Sequence, residues 1–411
     1  MFFDAMYKIH YLKNGMCLVL EEMPAVKSVS VGIFVKSGSM YETKEENGIS
    51  HFIEHMLFKG TKNRTAKRIA EEMDSVGGHI NAYTAKECTC YYTKVLPEDL
   101  ELSVDILSDM YYNSLFREED IELERGVIIE EINMYEDSPE DVALDSVAEL
   151  MWAGNPMGNP VAGTEESVRK ITRDMMLGYY SRRYTPKNTV ISVAGNFSGD
   201  EITALFEKYF SKTAGEEELI VSPPQFISGK WSRNKDIEQT HISIAYPAPS
   251  LDNNSLGVIS ILNNILGGSM SSRLFQKVRE EKGLCYSVYS YTSILPQAGM
   301  MGVYVGLASE MTENAMEIIE AETEKISSEE VSTDEIERAR SQIKCSVIMS
   351  RESAASRMSA NGKSQLLLDR VRTDEEILSA ILSVTKEDIL NLAKKIFKSG
   401  NKAVFILEGN S

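Results

Sequence analysis

The sequence has little cysteine, no long apolar segment and no excess of positive charge. Its five cysteines include no C-x-x-C pair, so neither a disulfide framework nor a cysteine zinc cluster is expected. Free thiols are typical of a reducing compartment. No apolar run reaches the ~20 residues that a membrane-spanning helix needs. The net charge of −19 argues against nucleic-acid binding, because proteins of that class carry basic surfaces.

The N-terminal residues lack the features of a targeting segment. Residues 1–6 contain no basic region followed by an apolar core and a small-residue cleavage site, and they contain no arginine. We therefore expect a cytoplasmic protein without membrane or nucleic-acid partners. The 411 residues exceed the length of one ordinary core, so two domains are expected.

A polar stripe runs along an apolar segment that begins near Ser50. His51 and His55 are four residues apart and Glu54 lies between them, so on a helix all three share one face. Two imidazoles one turn apart can bind one tetrahedral zinc ion. Glu54 would then be close enough to accept a proton from water at the metal. The His-x-x-Glu-His order is an inverted zinc-peptidase motif, although an accidental pair of core histidines would also fit.

A third ligand is expected, because catalytic zinc usually keeps three protein ligands. The segment 122–132 is typical of a long helix. Glu124 and Glu131 are seven residues apart, two turns, and so share a face. Most acids in this segment would equally fit a solvated helix surface.

The zinc motif and its neighbours resemble a known family. The matching segment is Gly48-Ile49-Ser50-His51-Phe52-Ile53-Glu54-His55-Met56-Leu57-Phe58-Lys59-Gly60-Thr61. It is similar to the zinc segment of the pitrilysin superfamily, which includes insulin-degrading enzyme and mitochondrial processing peptidase. The family's third ligand is a Glu about 76 residues after the second His, and Glu131 follows His55 by 76 residues. The resemblance implies one Zn²⁺ per chain, bound by His51, His55 and Glu131, with Glu54 as general base and Glu124 as a supporting acid.

The resemblance also implies residues that contact the substrate. Asn81 and Ala82 lie in a β-prone segment similar to the family's edge strand, which pairs with a peptide backbone. Phe58 is placed beside the same site. Asp141 and Asp145, four apart on a predicted helix, match acids that bind an arginine near the cleavage site in mitochondrial processing peptidase, so substrates could be basic. An internal strand and a solvated helix face are the competing interpretations.

Two further local patterns predict strands near the N-terminus. Asn14-Gly15 between apolar runs indicates a hairpin turn. Val29, Val31, Ile33 and Val35 alternate with other residues, a pattern typical of a half-buried strand.

The two halves of the chain repeat one pattern. Residues 171–196 and 384–410 each lead from a threonine to an Asn-initiated apolar strand at the same spacing. The repeat indicates a duplicated α+β unit, and the resemblance implies two homologous sequential domains, each an antiparallel sheet packed with helices. The predicted boundaries are 1–213 for the zinc-binding domain, 214–230 for a linker and 231–411 for the second domain. The second copy of the zinc helix, 261–266, contains no His or Glu, so only the first can bind metal in this way.

The second half contains one further pair implied by the resemblance. Arg279 and Tyr286, seven apart, match residues that face the zinc from the opposite side of a closed chamber in the superfamily. A two-domain chain would need a second copy to form that chamber, which implies a homodimer with sites completed in trans. The expected function is a zinc metalloendopeptidase acting on short or unfolded peptides. The alternatives are a non-catalytic core subunit of a larger complex and an amidohydrolase acting on a non-peptide.

Overall fold

The computed structural model describes residues 7–212, 221–251 and 255–409, apart from the side chains of Asp200 and Glu201. The strands are β1 (Tyr7–Tyr11), β2 (Cys17–Glu22), β3 (Val29–Val35), β4 (His79–Thr84), β5 (Thr89–Val95), β6 (Thr189–Gly195), β7 (Gly229–Asn234), β8 (Thr240–Ala248), β9 (Cys285–Ile294), β10 (Gly299–Leu307) and β11 (Ala403–Glu408). The helices are α1 (Ile49–Leu57), α2 (Ala66–Ser75), α3 (Leu100–Asn113), α4 (Glu118–Glu136), α5 (Pro139–Met151), α6 (Glu165–Lys170), α7 (Arg173–Arg183), α8 (Gly199–Tyr209), α9 (Leu256–Leu266), α10 (Thr312–Ser328), α11 (Thr333–Ser350), α12 (Ala354–Leu368), α13 (Asp374–Leu382) and α14 (Lys386–Ile396). A π-helical segment spans Phe275–Glu281.

The strands form two sheets with the same connectivity. The first has the order β1-β2-β6-β3-β5-β4 and the second has the order β7-β11-β8-β10-β9. Without β1, the first sheet reads β2-β6-β3-β5-β4, and each strand has a counterpart at the same place in the second sheet. In both sheets the last strand of the half lies between the first and the second strand. Each sheet is antiparallel except for one pair, β2 with β6 and β11 with β7. The shared order confirms the predicted α+β duplication.

The predicted hairpin turn joins β1 to β2. Gly15 has a φ of 88°, the left-handed conformation that glycine adopts without a Cβ clash. Its N–H donates to the carbonyl of Leu12, and the side chain of Asn14 accepts from the N–H of Met16. The turn fixes the register Tyr11 opposite Cys17.

The two compact units are not continuous along the chain. The first contains the described residues of Met1–Ile132, Pro160–Ile220 and Ile348–Thr373, and the second contains those of Asn133–Asn159, Val221–Val347 and Asp374–Ser411. Thus α12 packs on β3 and β6 of the first unit, and α5 packs on β8 and β11 of the second. The predicted boundaries follow the repeat in the sequence and place α5 in the first domain and α12 in the second. In the compact units, α5 belongs to the second unit and α12 to the first. Residues 214–220 of the predicted linker lie outside the described part of the chain, as does residue 213, the last of the predicted first domain.

Strand β3 is buried on both faces, so the prediction of a half-buried strand was wrong. All seven of its residues are buried. Val29, Val31, Ile33 and Val35 lie in the main apolar core of the first unit, as their alternation predicted. The opposite face is covered by α12, and a Cβ on Gly32 would lie only 2.2 Å from the sulfur of Met358. The small and polar residues of β3 therefore face a closely packed helix rather than solvent.

The described cysteines carry free thiols, and three of them are buried in the first unit. Cys17, Cys88 and Cys90 belong to the apolar cluster beneath α12. Burial raises the pKa of Cys17 to about 11 and that of Cys88 to about 12, which makes both thiols unreactive near neutral pH. Within the described ranges, no helix is both long enough and apolar enough to cross a membrane.

Candidate metal centre

Three side chains of the first unit converge at one point. Helix α1 contributes His51 and His55, and α4 contributes Glu131. The Oε2 atom of Glu131 lies 3.7 Å from Nε2 of His51 and 3.6 Å from Nε2 of His55. All three potential ligand atoms lie within 4.8 Å of one another. Bonds of about 2.0–2.1 Å to one tetrahedral zinc would place such atoms about 3.3 Å apart, so the donor set fits this ion with small adjustments.

Glu124 selects the ring nitrogen that His55 presents to this point. Its Oε2 atom lies 3.1 Å from Nδ1 of His55, and its Oε1 atom lies 2.5 Å from the ammonium of Lys59. A carboxylate accepts hydrogen bonds, so Nδ1 carries the proton and Nε2 keeps its lone pair for a metal. Glu124 is 3% exposed, and Lys59 balances its charge. The contact is compatible with the supporting role that the resemblance implies for Glu124, and that role stays a prediction.

The two imidazoles have opposite pKa shifts. Burial, with a smaller contribution from His55, lowers the pKa of His51, so its ring is neutral at neutral pH. Burial alone would also lower the pKa of His55, but the carboxylates of Glu131 and Glu124 outweigh it and the pKa is raised. Nδ1 of His51 is buried and has no hydrogen-bond partner among the described residues. A neutral imidazole has one unprotonated ring nitrogen, and Nε2 of His51 lies 3.7 Å from Oε2 of Glu131, so the ring is suited to share a metal ion with that carboxylate.

Glu54 lies beside this point on the same helix. Among the described residues its carboxylate receives one hydrogen bond, from the hydroxyl of Thr84 at 2.5 Å. Burial raises the pKa of Glu54, and the Thr84 hydroxyl and His55 partly oppose the shift. A raised pKa brings a carboxylate closer to the range that favours proton transfer near neutral pH.

Strand β4, which contains Asn81, Ala82 and Thr84, is an edge strand of the first sheet. It pairs with β5, and the described residues place no strand on its other side. The side chain of Asn81 accepts from the N–H of Ala82 at 2.8 Å. Phe58, just after α1, is partly buried against the core, and its ring centroid lies 6.5 Å from that of Tyr91. The edge position predicted for Asn81 and Ala82 is therefore present next to the metal centre.

A buried carboxylate caps the start of α1. Glu42 is 1% exposed, and it accepts from the N–H of Gly48 at 2.8 Å and from that of Ser50 at 2.9 Å. The side chain of Asn47 donates to it at 3.1 Å. Burial raises the pKa of Glu42 to about 7, despite the hydrogen bonds from Ser50, Gly48 and Asn47 that favour the ionised form. Free N–H groups at a helix start favour such an acceptor.

An arginine secures α4, the helix that carries Glu131. The guanidinium of Arg125 donates to the carbonyl oxygens of Val168 and, at 2.9 Å, Ile171. It also lies over the ring of Phe52 in α1, 5.5 Å from the centroid. Because these contacts tie α4 to α1 and to the C-terminal end of α6, they help to fix the position of Glu131.

Arg279 and Tyr286 lie next to each other in the second unit. Arg279 belongs to the π-helical segment, and Tyr286 is the second residue of β9. The guanidinium carbon lies 4.8 Å from the ring centroid of Tyr286 and 4.8 Å from that of Phe275, so it is held between two aromatic rings. Tyr286 is 79% exposed, and its hydroxyl is available to a ligand. π-helical segments often occur at functional sites.

Asp141 and Asp145 also belong to the second unit, on α5. Their neighbour Glu140 accepts a hydrogen bond of 2.5 Å from the hydroxyl of Tyr289. Burial raises the pKa of Tyr304, with smaller contributions from Glu140 and Asp141, so these acids face an aromatic cluster of the second sheet. Their predicted role in binding arginine stays a prediction.

Comparisons with known proteins identify the family of this chain. The family model described as "Insulinase (Peptidase family M16)" matches residues 17–165, and that described as "Peptidase M16 inactive domain" matches residues 170–343. A Bacillus subtilis protein named "Uncharacterized zinc protease YmxG" is 41% identical over 95% of this chain and 96% of its own length. The chain belongs to the M16 peptidase family.

Other relatives extend across the same length. A Rickettsia bellii protein named "Uncharacterized zinc protease" is 38% identical over 98% of each chain. Among solved structures, a protease from Helicobacter pylori superposes with a TM-score of 0.92 at 20% identity, covering 98% of this chain and 99% of its own. A putative M16-like peptidase from Alicyclobacillus acidocaldarius gives 0.89 at 22% identity over the full length of both. These structures share the M16 fold with the present chain.

Three residues of the centre were not predicted from the sequence. Lys59 follows His55 by four residues, a helical spacing that could have suggested a shared partner in Glu124. Thr84 ends the predicted edge strand, but nothing in the sequence places its hydroxyl at Glu54. Glu42 precedes Gly48 by six residues in a polar segment, and no pattern indicates that its carboxylate is buried.

Proposed function

We propose that this M16 family member is a zinc metalloendopeptidase whose active site is built on α1 and α4. The observation that carries the proposal is the convergence of His51, His55 and Glu131 beside Glu54. The names of relatives with 41% and 38% identity support zinc as the metal and proteolysis as the reaction. One ion per chain is proposed, held by these three side chains.

Each side chain of the proposed active site has a separate role in hydrolysis. A bound zinc ion would supply the Lewis acidity that makes water nucleophilic near neutral pH. Glu54 is the group proposed to accept the proton of the attacking water and return it to the leaving amine. Glu124 orients His55, and the Tyr286 hydroxyl is proposed to donate to the oxygen that becomes negative in the tetrahedral intermediate. Arg279 is proposed to hold a substrate carbonyl.

The substrate is proposed to be a short or unfolded peptide bound as an added strand. The open edge of β4 supports this binding mode, because main-chain hydrogen bonds need no particular sequence. Asn81, Ala82 and Phe58 would contact such a strand. Asp141 and Asp145 are proposed to favour basic side chains near the cleavage site, and cleavage is proposed to occur within a closed chamber.

The working unit is proposed to be a cytoplasmic homodimer with sites completed in trans. The support is the family analogy, in which groups equivalent to the zinc residues and to Arg279 and Tyr286 face each other across a chamber. Closed two-fold dimers are also the commonest symmetric assembly. Complementation tests the proposal. A Glu54→Gln chain and a Tyr286→Phe chain should each be weakly active, and mixing them under subunit exchange should raise activity well above the sum. No gain despite confirmed exchange would contradict it.

A quenched-fluorescent peptide library, with and without a zinc chelator, tests the proposed reaction itself. Cleavage that disappears on chelation and returns with zinc would support a metallopeptidase. No cleavage of any peptide would favour the non-catalytic subunit, and turnover restricted to non-peptide amides would favour an amidohydrolase. The complete set of ligands favours the enzyme, because non-catalytic relatives characteristically lose parts of the motif.

A further inference from the structure

We infer that Thr84 is a positioning residue that fixes the proton acceptor Glu54 and couples it to the substrate strand. The inference rests on the proposed peptidase function. Among the described residues the Thr84 hydroxyl is the one hydrogen-bond donor to the Glu54 carboxylate, at 2.5 Å from Oε2. Without that bond the Glu54 carboxylate, on a flexible side chain, would sample other rotamers, because its interactions with His55 and Glu131 are electrostatic and not directional.

The hydroxyl is itself held in place by the sheet. Thr84 is the last residue of β4 and lies opposite Thr89 of β5. The two hydroxyl oxygens are 3.3 Å apart, and Thr89, fully buried, donates to the carbonyl of Ser37 at 3.0 Å. Since Thr89 uses its proton on Ser37, it can accept from other groups but not donate to Thr84. Thr84 has a single proton, and the Glu54 carboxylate at 2.5 Å is a closer and stronger acceptor for it than the Thr89 hydroxyl at 3.3 Å.

This arrangement has two consequences for catalysis. The Thr84 bond takes one of the two acceptor sites of Oε2, and among the described residues no hydrogen bond is donated to Oε1, which makes Oε1 the more available atom to accept a proton from water. Thr84 also belongs to the edge strand on which the peptide backbone is proposed to pair. A peptide in register with Asn81 and Ala82 is then in a fixed register with the proton acceptor, because both are set by one strand.

The test compares Thr84→Val, which keeps the shape and removes the hydroxyl, with Thr84→Ser, which keeps the hydroxyl. Thr93→Val is the matched control, since Thr93 is a buried β5 residue whose hydroxyl bonds to Ser103 at 2.5 Å. Thr84→Val should lower kcat by about tenfold to a hundredfold, the range for losing a hydrogen bond to a charged group. Its KM and zinc Kd should stay within about threefold of wild type, and Thr84→Ser should keep most of the activity.

A double-mutant cycle separates positioning from a general structural effect. If Thr84 acts through Glu54, adding Thr84→Val to Glu54→Gln should cause no further loss of residual activity. A Thr84→Val enzyme with unchanged kcat, or an equal loss in the Glu54→Gln background, would overturn the inference. So would a loss of kcat fully matched by Thr93→Val with the same fall in Tm.

A structural readout keeps the inference testable if no peptide is cleaved. Crystal structures of the Thr84→Val and Thr84→Ser proteins should show Glu54 displaced in the first and in place in the second. Glu54 unchanged in Thr84→Val would contradict the positioning role. Failure of the peptide library with wild-type protein would instead contradict the proposed function, so the two failures are distinct.

Discussion

The two units share a topology but differ at the positions that carry chemistry. Alignment of α1 with α9 places Ser260, Asn263 and Asn264 where the first unit has His51, Glu54 and His55. By contrast, both units contain an arginine that pairs with an acid on its own helix and donates to a backbone carbonyl of another segment. Arg340 on α11 pairs with Glu337 and donates to the carbonyl of Val384 at 2.6 Å, as Arg125 on α4 pairs with Glu122 and donates to Ile171.

The retained arginines show which contacts the duplicated fold needs. When Arg125 is aligned with Arg340, the positions of Glu124 and Glu131 correspond to Ala339 and Ser346 in the second unit. The arginine that ties its helix to another segment is thus structural, whereas Glu124 and Glu131 have no acidic counterpart in the second unit. The difference separates residues that support the fold from residues that support the site.

The largest effect is expected from the proton acceptor and the ligands themselves. Glu54→Gln should lower kcat by about 10²- to 10⁴-fold, the usual contribution of a general base, yet retain close to one zinc per chain. His55→Ala should lose both activity and zinc, because it removes a ligand. Activity assays combined with metal analysis by mass spectrometry check both.

The second unit supplies the control for this prediction. Asn264→Ala changes the position equivalent to His55 and should leave zinc content and kcat near wild type. Zinc-free Glu54→Gln protein would contradict the assignment of Glu54 as a base and not a ligand. Zinc loss in Asn264→Ala would contradict the assignment of the zinc site to the first unit alone.

The next effect concerns Glu42, the buried carboxylate that caps the start of α1. Because the pKa of folded Glu42 is about 7, above the ordinary value of 4.5, the folded state holds the proton more strongly. The free energy of unfolding should therefore fall as pH rises from about 4.5 to about 7, by up to about 3 kcal/mol from this group.

Glu42→Gln cannot ionise, so its free energy of unfolding should depend less on pH in that window. Urea unfolding at pH 5 and pH 8 measures the difference. Glu45→Gln, which changes an exposed acid of the same segment, should keep the pH dependence of the wild type. Equal pH dependence in all three proteins would show that Glu42 does not titrate in this range.

The arginine pair sharpens the comparison directly. Arg125→Met and Arg340→Met should each lower the free energy of unfolding by about 1–3 kcal/mol, because buried carbonyl groups lose a charged donor. Only Arg125→Met should also weaken zinc binding, since α4 carries Glu131 and α11 has no ligand. Chelator competition measures the zinc Kd, and equal Kd values in the two variants would contradict the assigned roles.

The smallest effect is expected at Lys59. Lys59→Met should raise the zinc Kd by about threefold to tenfold, because Glu124 loses the partner that holds its other oxygen while keeping its bond to His55. Lys62→Met removes an exposed lysine nearby and should leave the Kd unchanged. Matching values for the two variants would show that Glu124 needs no second partner.

Local sequence patterns predicted individual turns, strands and helices. Burial and side-chain contacts that depend on residues distant in sequence could not be predicted from those patterns. The hairpin at Gly15 followed from the Asn-Gly pair at that turn, and α1 was expected from the apolar segment that begins near Ser50. The full burial of β3 could not be predicted, because the helix that covers it lies more than three hundred residues later. The His and Glu residues were found because helical spacing brings them together, whereas Thr84 reaches Glu54 from a different element.

The exchange of α5 and α12 bears on how the chain folds during synthesis. The ribosome makes the β-strands of the first unit well before residues 354–368, and until those residues emerge one face of β3 and β6 has no cover. The nascent chain therefore exposes a sheet face containing Phe34 and three cysteines while most of the second half is still being made. Exposed sheet faces are prone to aggregation, so we expect the nascent chain to be most prone to aggregation during this interval.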